Sequence, residues 1–207
     1  MAATSSSTVL LGRHGRLQLD ETLAALVVDG MLTGEDAKRV RLTTGSRESQ
    51  ALHPLVLIGN ARLDNRSDPA GRPLSIEVLT EWLARKAGLR YLKIDPMKID
   101  VAAVTRVVGR AYAQNHRILP VEASDGSITF AICEPFATHW AADLSRMLRR
   151  EIHLVVSNPQ EINRYLAEFY GVQRSIRLAQ DAKGEALPGT NAVLNFEQLL
   201  QLGESGE

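Results

Sequence analysis

The sequence predicts an α+β fold, in which a small helical N-terminal subdomain precedes a compact α/β two-layer domain with a short mixed sheet. Apolar residues at helical spacing, bounded by capping residues, recur along most of the chain. Short apolar runs bounded by turn residues, which are typical of strands, appear mainly in the second half. A polar stretch marked by proline and glycine, "DNRSDPAGRP" at 64–73, separates the two parts.

The composition argues against several classes of protein. Lys and Arg number 24 and so do Asp and Glu, so no net field attracts nucleic acid. No run approaches the roughly 18 apolar residues of a spanning helix, and we expect no direct membrane insertion. The start of the chain lacks the apolar segment of a secretory signal, and one cysteine cannot form an internal disulfide. These observations predict a soluble cytoplasmic protein.

Breaks in the pattern divide the chain into five parts. We predict a flexible arm over 1–16, a helical subdomain over 17–63, a linker over 64–73, an α/β domain over 74–172 and a second linker over 173–207.

The helical subdomain begins with two capped helices. Asp20 is the expected N-cap of the first helix, and Gly30 is expected to end it. Thr33 is the expected cap of the second helix, after which 43–50 is loop-like. The apolar segment 52–63 is compatible with either a helix or a strand, because its period does not separate the two.

The α/β domain begins with an amphipathic helix that Ser75 starts and Gly88 ends. Its apolar face is predicted to contain Leu79, Trp82, Leu83 and Ala87. A short strand over 89–95 and a helix capped by Asp100 follow. That helix is predicted to direct Val101, Val104, Val108 and Ala111 inward.

The remaining elements are a hairpin, a helix, a strand and a last helix. Ile128, Phe130 and Ile132 alternate with Thr129, Ala131 and Cys133, as in a strand. Asp125-Gly126 predicts a tight turn with positive φ values. A helix with Trp140, Leu144, Met147 and Leu148 on one side leads to the strand 152–157. Ser157 and Gln160 have the spacing of a capping box, and Gly171 is the expected end of the last helix.

Cys133 raises the question of catalysis, because it is the only cysteine and Glu134 follows it. As a nucleophile it would need a base such as His139 or His153 and a source of thiolate stabilisation. The alternative is a small buried residue at a strand end, as most free cysteines are. The pattern favours the second interpretation, with Glu134 and Pro135 at a strand-to-helix corner.

Other catalytic or ligand motifs are not found in the sequence. The five histidines are scattered, with no second cysteine and no His pair at zinc spacing, so no metal site is predicted. The sequence "GRHG" at 12–15 lacks the Lys and hydroxyl of a phosphate loop. We therefore predict no catalytic, cofactor-binding or metal residues and no enzymatic activity within these 207 residues.

Residues 74–172 resemble the N-terminal region of the GspE, PulE and PilB type of secretion and pilus-assembly ATPases, which is similar to MshE-N. The resemblance rests on "LTEWLARKAGLRYLKIDPMKID", "ILPVEASDGSITFAICEPF" and "INRYLAEFYGV", which occur in the family's order. It implies that Cys133 and Glu134 occupy a structural corner. It also implies a nucleotide-binding domain after residue 207, and ATP and Mg are expected only there.

The first subdomain resembles the family's small helical domain more loosely, over 23–40 and again over 55–63. Some relatives bind cyclic di-GMP through two such copies, each of which opens on Arg-Leu-Gly. Here Glu21 and Leu23 stand where Arg and Gly would, and the second copy has His53 and Leu55. The sequence thus lacks the planar guanidinium donor of that binding mode.

The resemblance implies a non-catalytic docking and regulatory region of a type II secretion or type IV pilus ATPase. The expected partner is the cytoplasmic domain of an inner-membrane platform protein (GspL-like) or its pilus counterpart, which would hold the protein at the inner membrane. The expected partner-binding residues are Leu23, Leu26, Val27, Leu32 and Val40. Two alternatives are a cyclic di-GMP-sensing module and a free-standing cysteine enzyme. A third alternative is that the five apolar residues only pack on "LHPLVLIG".

Overall fold

A computed structural model describes the backbone of residues 15–44 and 51–184 and the side chains of these ranges up to residue 172. These ranges contain eight α-helices and four β-strands. The helices are α1 (Leu19–Val28), α2 (Gly34–Thr43), α3 (Pro54–Asn60), α4 (Ile76–Ala87), α5 (Val101–Val104), α6 (Arg110–His116), α7 (His139–Leu148) and α8 (Pro159–Gly184). The strands are β1 (Arg90–Tyr91), β2 (Ile118–Ala123), β3 (Ser127–Ile132) and β4 (Glu151–Val156).

The four strands form one mixed sheet in the order β1-β4-β3-β2. Strands β2 and β3 are antiparallel, while β4 runs parallel to both β3 and β1. The predicted α+β class with a short mixed sheet is therefore confirmed. Strand β3 lies in the interior of the sheet, and Ile128–Ile132 are all buried. Both sets of alternating residues in β3 are therefore buried.

The hairpin between β2 and β3 closes differently from the prediction. Neither Asp125 nor Gly126 has a positive φ, although both are described. Instead, the Ser127 backbone N–H donates to the Ser124 hydroxyl oxygen over 3.1 Å. A serine side chain thus stabilises this turn, in place of two left-handed residues.

The N-terminal helices follow the predicted caps with one exception. Gln18 occupies the N-cap of α1 without a side-chain hydrogen bond, so Asp20 lies in the first turn. Gly30 has a φ of +68° after the helix end, as expected. Thr33 and Asp36 form a reciprocal capping box at the start of α2.

The segment that could be helix or strand is the helix α3. His53 is its N-cap and Pro54 its first residue, where proline needs no N–H partner. Ser75 caps α4, and Gly88 ends it in the left-handed conformation, as predicted.

Two later helices differ from their predicted limits. The helix that Asp100 caps stops at Val104, and a separate helix begins after Gly109, which leaves Ala111 exposed. On α7, Trp140 and Leu144 are buried as predicted, but Met147 is 71% exposed.

The last helix, α8, begins and ends differently from the prediction. Asn158 accepts from the Gln160 N–H and is the cap, whereas the Ser157 hydroxyl donates to the Leu92 carbonyl. The helix continues through Gly171 to Gly184. The described residues up to Tyr170 belong to one compact unit, and those from Gly171 onwards belong to a second.

The predicted linker 64–73 is a hydrogen-bonded turn. Asp64 and Pro73 form a bridge, and the Leu74 N–H donates to the Leu63 carbonyl over 2.7 Å. The Arg66 N–H donates to the Met31 carbonyl over 3.1 Å. This segment therefore connects two elements that pack together.

Two apolar cores are present, and the predicted boundary divides one of them. Helix α4 contributes Leu79 and Leu83 to the core that contains Leu23 and Leu26 of α1. A second core surrounds Phe130 between the sheet and the helices after β1. The predicted boundary at 64–73 therefore does not separate two packing units, because α4 packs on the N-terminal helices.

We expect a fragment of residues 74–172 to be less stable than residues 15–172. Removing the N-terminal helices exposes Leu74, Leu79 and Leu83, each worth about 1.5–3 kcal/mol of burial. Thermal unfolding of the two fragments, followed by circular dichroism, measures the difference. Equal thermal midpoints and equal cooperativity for the two fragments would show that residues 74–172 fold independently of the N-terminal helices, as the sequence alone predicts.

Candidate functional site

A buried carboxylate, Glu134, lies where the sheet meets the N-terminal helices, and its side chain is 4% exposed. Its Oε2 accepts a hydrogen bond from the Leu17 backbone N–H over 2.8 Å. Its Oε1 lies 3.4 Å from Arg117 Nη1 and 3.6 Å from His53 Nε2. One side chain thereby contacts the segment before α1, the cap of α3 and the end of α6.

His53 is neutral in this arrangement. Its Nδ1 accepts from the Leu55 N–H over 3.2 Å, so the ring proton resides on Nε2. That Nε2 lies 3.1 Å from the Cys133 carbonyl, to which it donates. Burial lowers the pKa of His53 to about 4, and the positive charge of Arg117 acts in the same direction. The imidazole therefore serves as a cap and a donor.

Arg117 partly compensates the charge of Glu134. It ends α6 with a φ of 52°, a left-handed conformation that glycine adopts most easily. Burial raises the pKa of Glu134, whereas the Leu17 N–H and the charges of Arg117 and Arg16 oppose that rise. Burial therefore disfavours the ionised carboxylate, and the surrounding donors and positive charges stabilise it.

The segment before α1 is fixed at the same corner. Gly15 has a φ of +76°, and a Cβ there would lie 2.5 Å from the Phe136 carbonyl oxygen. The Arg16 guanidinium donates to the Asn115 carbonyl over 3.1 Å. The flexible arm was predicted to extend to residue 16, but Gly15 lies against Phe136, and the exposed Arg16 is hydrogen-bonded to Asn115. Residues 1–14 of that arm lie outside the described residues.

Cys133 is buried at the end of β3, as predicted, and it lacks the surroundings of a nucleophile. It is 2% exposed, and its thiol lies 3.9 Å from the Arg117 carbonyl oxygen. Burial and the neighbouring Glu134 carboxylate raise the pKa of the thiol. The ring of His139 stacks edge-on to His116, while His153 is half exposed beside Glu151. The thiol therefore stays protonated and inaccessible.

The five residues predicted to bind a partner lie in or beside the core. The buried ones are Leu23, Leu26, Leu32 and Val40, and Val27 is half buried. They share a core with Leu55 and Ile58, which is the alternative that the sequence left open.

The exposed apolar residues of the helical part are different ones. Val28 is 81%, Leu42 85% and Leu52 46% exposed. Helical spacing could have predicted that Leu42 is exposed. The buried positions of α2 include Ala37 and Val40, which are three residues apart, and Leu42 does not lie on the same face of the helix.

A cavity of about 330 Å³ opens beside Leu52 and reaches the carboxylate. It is lined by Arg16, Leu17, Gln18, Leu19, Thr44, Leu52, Pro54, Leu57, Arg117 and Glu134. Its walls thus combine apolar side chains with two guanidinium groups.

Neither a metal cluster nor a membrane-spanning helix is found among the described residues. No three His, Cys, Asp or Glu side chains within 15–44 and 51–172 lie close enough to hold a metal ion. No helix in the described part of the chain combines the length and apolar character needed to cross a bilayer.

Comparison with known sequences relates the chain to pilus-assembly ATPases. Residues 87–176 match the MshEN domain. The type IV pilus assembly ATPase TfpB of Acinetobacter baylyi is 30% identical over 193 residues, which are 93% of this chain and 32% of TfpB. The chain therefore spans about a third of the length of that curated relative.

Two solved structures are also similar to the chain. A structure of MshE with cdg (cyclic di-GMP) has 14% identity and a TM-score of 0.47, covering 75% of this chain and 100% of that one. The N-terminal domain of XpsE has 17% identity and a TM-score of 0.44, covering 80% of this chain and 96% of that one.

We expect Glu134→Ala to lower the free energy of unfolding by about 3 kcal/mol, because it leaves the Leu17 N–H and the Arg117 charge without their acceptor. Glu134→Gln keeps an acceptor and should cost less. Urea unfolding measures both variants, with Glu151→Ala as an exposed control that should change stability by at most about 0.5 kcal/mol. A loss for Glu134→Ala no larger than for the control would contradict a stabilising role.

The lowered pKa of His53 predicts that the stability of the protein depends on pH. Its pKa is about 4 in the folded state, against 6.5 for an unperturbed histidine, so the unfolded chain takes up the proton first. Stability should therefore fall as the pH decreases from 6.5 to 4, by up to about 3 kcal/mol from this residue. The raised pKa of Glu134 acts oppositely, since its contribution falls as the pH rises.

The difference between the wild-type protein and His53→Asn isolates the histidine, because asparagine can also cap α3. Denaturant unfolding between pH 7 and pH 4 should show a steeper loss in the wild type. Parallel curves for the two proteins would show that His53 does not titrate in this way.

Proposed function

Because the chain carries an MshEN domain over residues 87–176 and is homologous to a type IV pilus assembly ATPase, we propose that it is a non-catalytic docking and regulatory region of such an ATPase. The observation that carries this proposal is the 193-residue match to about a third of TfpB. In this proposal, ATP and Mg act in a further domain of the ATPase.

The described chemistry supports a role without catalysis. Cys133 is buried with a raised thiol pKa, and Glu134 is occupied by backbone and side-chain donors. Both groups stabilise the corner between β3 and α7, so neither is available to a substrate.

The proposed partner is the cytoplasmic domain of an inner-membrane platform protein of the type II secretion or pilus kind. Binding to it would hold the ATPase at the membrane surface. The residues first expected to bind this partner are mostly in the core, so we assign docking to the exposed Leu42 and to Leu52, which lines the cavity. Exposed apolar side chains that group together on a surface mark sites of protein interaction.

We expect Leu42→Asp combined with Leu52→Asp to weaken binding of the platform domain by about tenfold or more. Both side chains are exposed, so the melting temperature should change by no more than about 2 °C. Met97→Asp is the matched control, because Met97 is 91% exposed on the other part of the fold. Isothermal titration with the purified platform domain measures the affinities. Unchanged binding by the double variant would place docking elsewhere.

Cyclic di-GMP sensing is a second candidate, favoured by the two arginines in the cavity. Arg16 and Arg117 offer planar donors of the kind that bind phosphate groups. However, Glu21 and His53 stand at the positions where the family's motif has arginine. Isothermal titration with cyclic di-GMP separates the two candidates. Binding heat in the wild-type protein that disappears in Arg16→Ala would support sensing, whereas the absence of binding heat in the wild-type protein would leave docking as the proposed function.

A further inference from the structure

We propose that a groove at the hairpin end of the sheet binds an acidic, amphipathic helical segment of a partner protein. The groove has a volume of about 410 Å³ and lies between α5, the β2–β3 turn and the end of α7. Its lining residues are Ala103, Arg106, Val107, Ala123, Ser124, Asp125, Ile128, Leu148 and Arg150. These residues are separate from Leu42 and Leu52, so the proposal does not depend on the docking surface described above.

The floor of the groove is apolar. Ile128 is buried in the Phe130 core, and Val107 and Leu148 are half buried at the edge of that core. An apolar side chain that enters the groove would therefore extend an existing core, which is how anchor residues of helical ligands bind.

The rim of the groove is basic. Arg106 and Arg150 line it, and Arg149, at the end of α7, lies in the sequence between the lining residues Leu148 and Arg150. Among the ion pairs of residues 15–44 and 51–172, none includes any of these three arginines. One carboxylate, Asp125, lies in the lining. The charges thus favour an acidic ligand on the arginine side.

The backbone conformation of Arg149 is a second observation that bears on the ligand of the groove. It ends α7 with a φ of 53°, a left-handed conformation that is costly for a residue other than glycine. Arg117 has the same conformation, and its guanidinium contacts Glu134. No ion pair within the described part of the chain accounts for the arginine at position 149. Its exposed guanidinium is available to a partner carboxylate.

The shape of the groove distinguishes a helix from a membrane. A flat bilayer surface could contact Arg106 and Arg149, but it could not enter the recess to reach the half-buried Val107 and Leu148. A helix can insert an apolar side chain and present carboxylates one turn away on the same face. We therefore assign the groove to a protein segment, and anionic lipid becomes an outcome of the test.

The experiment uses the whole chain and two labelled helical peptides that differ only in charge. Both peptides carry leucines at helical spacing, flanked by glutamates in one and by lysines in the other. Fluorescence anisotropy should show binding of the glutamate peptide alone. That binding should weaken with added salt, and by about tenfold or more in Arg106→Glu combined with Arg150→Glu. Lys38→Glu on α2 is the matched control and should bind normally.

Two further variants separate binding from folding. Arg149→Gly relieves the left-handed conformation, so it should melt at the same or a higher temperature while it weakens binding. Asp125→Asn removes the one carboxylate of the lining and should tighten binding. Equal binding of both peptides, binding of neither peptide, or unchanged binding in the double variant would overturn the proposal. Arginine-dependent sedimentation with anionic vesicles, without binding of the glutamate peptide, would also overturn it.

Discussion

A single buried carboxylate imposes the arrangement on which the rest of this structure depends. Glu134 is the second residue after β3, so the end of the sheet fixes its position. An ionised carboxylate is stable there only with donors around it, and these are the Leu17 N–H and the Arg117 guanidinium. The donors come from distant parts of the chain, so the segment before α1 and the end of α6 must converge on this corner.

His53 extends the same constraint to the N-terminal helices. Its ring caps α3 through Nδ1 and reaches the Cys133 carbonyl through Nε2. Helix α3 packs in the core of Leu23 and Leu79, so the imidazole ties that core to the end of β3. The cluster joins the helical part to the sheet without forming a reactive site, which is consistent with a docking and regulatory region.

The sequence predicted the features that short-range chemistry determines. Thr33, Ser75 and Asp100 cap helices because each side chain accepts from the backbone N–H three residues away. Gly88 ends α4 because glycine tolerates the left-handed conformation. The mixed sheet followed from apolar runs between such signals.

Features that depend on distant contacts could not be predicted. Strand β3 is buried because β2 and β4 pair with its two edges and distant helix residues such as Trp140 and Ile162 share its core, and no local pattern shows this. The burial of Leu23 and Leu26 depends on α3 and α4, which the predicted boundary partly separated from them. Glu134 and Leu17 are 117 positions apart, so a glutamate beside a proline gave no indication of its partner.

Native-state hydrogen exchange of the whole chain tests most directly whether Glu134 makes the helical part and the sheet one cooperative unit. Core amides of α1 and α4 should open with the same free energy as those of β3 and β4, and the Leu17 amide should share that protection. In Glu134→Gln, the Leu17 amide should lose protection before the others do. Two distinct opening free energies in the wild-type protein, or a Leu17 amide that exchanges freely, would contradict this account.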